Sequence, residues 1–228
     1  MTIYSYSYSI DLNERRDEMR RLLSKIMEER IEIAFASELG ISVDPDVAGL
    51  ASPVLSSLIR EATPDEFRGH CAGMLVCDEH LRRLNPIAAG IMFDSLVIHE
   101  AAHIATECHV PVDVPTNELT ELIQTPPATW PEYSNKPKWA THDARFIRAL
   151  CHIHHRFESR RIRVILDQAF DHESYRLSSI EAYRAALGDE PKSTSWLPLR
   201  EVLSRPMPDA FKTLWTRDVL ASLGLTTA

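Results

Sequence analysis

SLVIHEAAHIATECHV, residues 95–110, is the stretch on which the reading of this chain turns. The stretch itself holds no Gly or Pro, and it predicts a helix, extending over 87–107. Residues four apart lie on one face of a helix. His99 and His103 in HEAAH can therefore turn a ring nitrogen each toward one metal ion. Glu100 sits about 100° round the helix from His99, where a carboxylate reaches a water beside the metal instead of the metal itself. Val97, Ile98, Ala101, Ala102, Ile104 and Ala105 form the remaining, core-facing surface.

Two histidines leave a zinc site one protein ligand short. His109 completes H-E-x-x-H-x-x-x-x-x-H, the metzincin spacing, but Thr106 stands where that family keeps Gly. A β-branched residue is a poor choice for a sharp helix stop at positive φ. The only Met downstream, Met207, lies between two prolines and is poorly suited to a Met turn. His142 is the rival: it opens HDARFIRAL, at the start of a predicted helix over 142–169 with Thr141 as N-cap and Asp143 in the first turn. Glu107, four residues after His103, is a third possibility. Asp94, five before His99, is poorly phased to orient that ring.

Outward from the motif, residues 70–78 (HCAGMLVCD) read as a strand, and 78–84 as a turn or short helix ended by Asn85-Pro86. Residues 12–39 show apolar spacing near the helical period, with Gly40 as a stop. A turn is expected over 44–49 and a short helix over 50–61. Six prolines interrupt 110–141, which reads as a long loop bordering a cleft. Trp130 and Tyr133 lie in it, and a Tyr there could stabilise an oxyanion. Helices are expected near 173–187, 197–204 and 208–223. HIHHRFESRRIR, residues 152–163, holds three His and four Arg and reads as a solvated helix face.

The bulk properties bound the function. The chain has 228 residues, 44% hydrophobic and 25% charged, with a formal net charge of −8 and a pI near 5.7. That is an ordinary globular composition and a poor one for a phosphate-binding surface. No apolar run approaches the roughly 18 residues of a membrane span, and the polar N-terminus does not read as a signal peptide. Cys71, Cys77, Cys108 and Cys151 form no C-x-x-C pair and read as reduced thiols in a cytoplasmic protein.

GMLVCDEHLRRLNP, DSLVIHEAAHIAT and WATHDARFIRAL, taken together, resemble the SprT-like zinc metallopeptidases, which include Spartan-type proteases. In that family a strand precedes the H-E-x-x-H helix, and a later His opens another helix in an H-G-x-x-F or H-D-x-x-F context. His142, Asp143 and Phe146 match it, and the resemblance covers about residues 69–157. It implies one Zn²⁺ held by His99, His103 and His142, with Glu100 as the general base. It also implies an α+β, predominantly helical, zincin-like domain with a small sheet packed on the H-E-x-x-H helix. The expectation is one domain over 1–228, with a helical C-terminal extension from about 158, acting on a peptide or protein substrate. Two alternatives stand beside it: a zinc-stabilised binding or scaffold protein without turnover, and a protease acting on DNA-bound proteins. The acidic charge and the lack of a C-terminal zinc ribbon weigh against the latter.

Overall fold

A computed structural model describes residues 11–43, 47–52, 55, 59, 72–106, 142–160, 162, 164–170, 178–189 and 197–222. Its elements are α1 (Leu12–Met27), β1 (Ile31–Phe35), β2 (Gly49–Ser52), β3 (Ala72–Val76), α2 (Asp78–Arg82), α3 (Pro86–Thr106), α4 (Ala144–Ser159), α5 (Leu166–Ala169), α6 (Ser179–Ala186), α7 (Leu199–Ser204) and α8 (Asp209–Ser222). The protein is thus mostly helical with a three-stranded mixed sheet, the α+β class that the sequence leads one to expect.

The sheet order is β1-β3-β2. β1 runs parallel to β3, pairing Ile31 with Ala72 through Phe35 with Val76. β2 runs antiparallel, pairing Gly49 with Val76 through Ser52 with Gly73. Side chains alternate across a strand, and the burial follows. Ile31, Ile33, Phe35, Ala72, Met74 and Val76 join the main core, whereas Ala34, Leu50 and Leu75 join a second cluster with Val47, Leu55 and Ile59.

The helix expected over 12–39 is two elements. α1 ends where Glu28 takes a left-handed φ of 55°, and IEIAF then enters the sheet. Its apolar residues fit helical spacing as well as alternation, and pairing with β3 decides between them. The helix expected over 50–61 is likewise replaced at its start by β2, while Leu55 and Ile59 are helical. The expected helix over 142–169 breaks after Ser159, and Asp143, not Thr141, caps it: Asp143 Oδ1 accepts from Arg145 N at 2.9 Å and Phe146 N at 3.0 Å. The first ten residues and the proline-rich 110–141 lie outside the described residues, apart from which the three C-terminal helices fall where expected.

α3 lies at the centre, packed against α1, β2, β3, α2, α4 and α5. Among the described residues it is the one helix long and apolar enough, by length and composition, to cross a membrane. That apolarity is spent in the core, where Phe93, Val97, Ile98, Ala101 and Ala102 are fully buried. Asp94, buried on the same helix, is gripped by Arg15 of α1, with Nε to Oδ1 at 2.7 Å and Nη2 to Oδ2 at 2.5 Å. Burial pushes the Asp94 carboxyl up, and the guanidinium fork opposes it. The same apolar cluster extends from Met19 to Leu214. The helices beyond residue 158 therefore pack into the common core.

Within 152–163 the face is not uniformly solvated: His152, His154 and Arg156 are buried, whereas Glu158, Ser159 and Arg160 are exposed. Arg148, His152, His154 and Arg156 of α4 are all at least 95% buried, because α4 is enclosed by α3, α6, α7 and the end of α1. The guanidiniums donate to main-chain carbonyls. Arg148 donates to the carbonyls of Val202 and Arg205 at the C-terminus of α7, at 3.0 and 2.7 Å. Arg156 donates to Ile26 O of α1 at 3.4 Å and Leu197 O at 2.7 Å. Ile26 and Val202 lie in the last turns of their helices, where a cation also complements the helix dipole.

Candidate metal centre

His99 and His103 stand one turn apart on α3, and the cap at Asp143 sets the backbone of His142 directly ahead of α4. The packing of α4 on α3 brings the three rings together. His142 Nε2 lies 3.1 Å from His99 Nε2 and 3.2 Å from His103 Nε2. Zn–N bonds of 2.0–2.1 Å in a tetrahedral array place ligand nitrogens about 3.3 Å apart, so these positions suit one small cation. Among the described residues, His99, His103 and His142 are the group of His, Cys, Asp or Glu side chains close enough to hold a metal.

His99 also has the protonation a ligand needs. His99 Nδ1 lies 2.8 Å from the carbonyl oxygen of Ala169. A carbonyl only accepts, so Nδ1 carries the proton and Nε2 presents its lone pair to the other two rings. Phe146, fully buried, forms the floor: its ring centroid lies 4.9, 4.4 and 4.6 Å from those of His99, His103 and His142. The same helix thus supplies a ligand and the apolar surface beneath all three. The centre fits a metal ion on its donor chemistry and spacing and on the His99 tautomer.

Glu100 is 5% exposed, and burial pushes its carboxyl up to about 8. Its carboxylate lies against the first residue of β2. A Cβ placed at Gly49 would sit 2.8 Å from Glu100 Oε1 and 3.2 Å from its Cγ. Only glycine lets the strand approach so closely. Gly49 therefore shapes the site, although its sequence context signals no more than a turn.

Of the other sequence candidates, Thr106 remains helical, its Oγ1 donating to Ala102 O at 2.8 Å, so α3 does not swing away at the position where a metzincin helix would. His109, Glu107, Trp130 and Tyr133 lie outside the described residues. Asp94 serves Arg15. Cys77 and Cys151 are free thiols, while Cys71 and Cys108 lie outside the described residues. Comparison with known proteins yields no match: no protein-family model, no curated protein and no solved structure resembles this chain closely enough to place it.

Proposed function

We propose that the chain is a zinc-dependent peptidase of zincin-like architecture, with His99, His103 and His142 as ligands and Glu100 as general base. The observation that carries this reading is the convergence of three imidazole Nε2 atoms from two segments, with Glu100 buried on the helix that supplies two of them. A bound zinc ion would lower the pKa of a water to about 7 and polarise a carbonyl oxygen. The protein's own residues do the rest. His99 and His103 are held by α3 and His142 by the capped start of α4, which leaves little reorganisation on binding. Glu100, next to His99 on α3, takes a proton from the attacking water and returns it to the leaving amine. Phe146 keeps water from beneath the rings.

The preference for a peptide substrate is supported by β2. In the described sheet it is an outer strand, paired on one side only, and its first residue abuts Glu100. An outer strand beside a catalytic carboxylate can align an extended peptide by main-chain hydrogen bonds.

The test compares zinc content and cleavage of an unfolded protein such as casein for the wild type and Glu100→Gln. The expected result is one zinc per chain in both, with hydrolysis only in the wild type. Equal hydrolysis by the variant overturns the role of Glu100. Zinc retained with no hydrolysis by either would indicate a zinc-stabilised scaffold.

A further inference from the structure

Between α4 and α6 the chain passes back across α3, and two of its carbonyls and one carboxylate make contacts that together form a strap. At one end the buried His154 Nε2 lies 2.9 Å from Val164 O, and the imidazole N–H donates to it. At the other, Ala169 O receives the proton on His99 Nδ1 at 2.8 Å. Between them, Asp167 Oδ1 accepts from the hydroxyl of Ser179, in the first turn of α6, at 2.7 Å. Val164, Ala169 and Phe170 are buried, whereas Ile165 and Asp167 are exposed. The strap is thus pinned at both ends and at its middle, and its last carbonyl touches a ring of the triad.

We propose that residues 164–169 are a positioning strap for His99, and that His154 and Ser179 act through it as positioning residues. The inference rests on the metal reading above and extends it: part of the site's support comes from residues 164–169 and Ser179, outside the motif and beyond the region of resemblance. The hydrogen bond to Ala169 O selects the His99 tautomer whose Nε2 is free to bind a cation. Loosening the far end of the strap lets that carbonyl drift, and the ring then samples the other tautomer and other rotations. Loss of an outer partner of a ligating His lowers metal affinity by about 10- to 100-fold.

The experiment titrates Zn²⁺ against a competing chelator for the wild type, His154→Phe, His154→Gln and Ser179→Ala, at a temperature where circular dichroism shows each folded. Long-range ¹H–¹⁵N spectra of the zinc-free proteins report the His99 tautomer. Expected are a roughly tenfold weaker Zn²⁺ affinity in His154→Phe and Ser179→Ala and a mixed His99 tautomer in both. His154→Gln, whose amide can donate to Val164 O, should recover most of the affinity. Wild-type affinity and a single Nδ1–H tautomer in both weakened variants would overturn the strap while leaving the metal centre intact. Absence of Zn²⁺ binding by the wild type would overturn the metal reading instead, and the tautomer spectra would still decide the strap. If His154→Phe does not fold, Ser179→Ala carries the same comparison.

Discussion

Two groups of three histidines occupy this molecule, and they do opposite things. His99, His103 and His142 come from two helices, and their Nε2 atoms converge. His152, His154 and His155 come from one helix and diverge. Successive helical residues are turned by about 100°, so side chains at i, i+2 and i+3 cannot meet at a point. Each goes to its own surroundings: His154 to Val164 O, and His155 Nδ1 to the hydroxyl of Tyr183 at 2.8 Å, which in turn donates to Glu158 at 2.8 Å. A count of histidines in sequence favours the second group, which is the denser. Geometry favours the first, because a metal site needs convergence and a helix offers at most two ligands on one face.

The comparison breaks most severely at the triad. His142→Ala should lose stoichiometric zinc, while His155→Ala should retain one zinc per chain, both read by metal analysis after dialysis. Retention of zinc by His142→Ala would return the third-ligand role to His109 or Glu107. Next in size is Gly49→Ala. The added methyl must displace the Glu100 carboxylate, and a misplacement of about 1 Å can cost on the order of 100-fold in rate. Zinc content should not change, which separates the base from the ligands; an unchanged kcat on casein would show that Glu100 needs no space there.

The second group should reveal itself through stability. Arg156→Met removes a buried guanidinium from the carbonyls of Ile26 and Leu197 and should cost about 2–4 kcal/mol in urea unfolding, leaving zinc affinity per folded molecule unaltered. The smallest effect concerns pH. Burial pushes the His154 imidazole below its ordinary value of 6.5, against the pull of Val164 O and Glu158. The unfolded chain then binds the proton more readily, so the stability this group contributes is present above pH 6.5 and is lost as pH falls through the lower folded value. His154→Gln should flatten that part of the pH–stability profile relative to the wild type, measured with chelator present. An unchanged slope would show that another group sets it.

Much of the candidate site was legible. HEAAH lies on the expected helix, and His142 stands where HDARF suggested, because i, i+4 spacing and an Asp before a helix are local signals. The sheet was half legible. AGMLV reads as a strand between turn signals, but IEIAF follows a helix without Gly or Pro, and only its parallel pairing with β3 shows it as a strand. Residues 152–156 were partly misread because His and Arg ordinarily mark solvent. Here His152, His154 and Arg156 are enclosed, and main-chain carbonyls pair with His154 and Arg156.

By itself, then, the sequence determined the elements whose physics is local: a long apolar helix with two histidines in phase and a glutamate beside the first, and a second helix starting near His142, its cap expected at Thr141 and found at Asp143. Tertiary structure decided whatever needs two distant segments to meet. It brought His142 to within 3.1–3.2 Å of the other two rings, pressed Gly49 against Glu100 and laid Ala169 O on His99. Helical periodicity carries information over about one turn, whereas these contacts span 39 to 70 residues, and only the packed core brings those residues together.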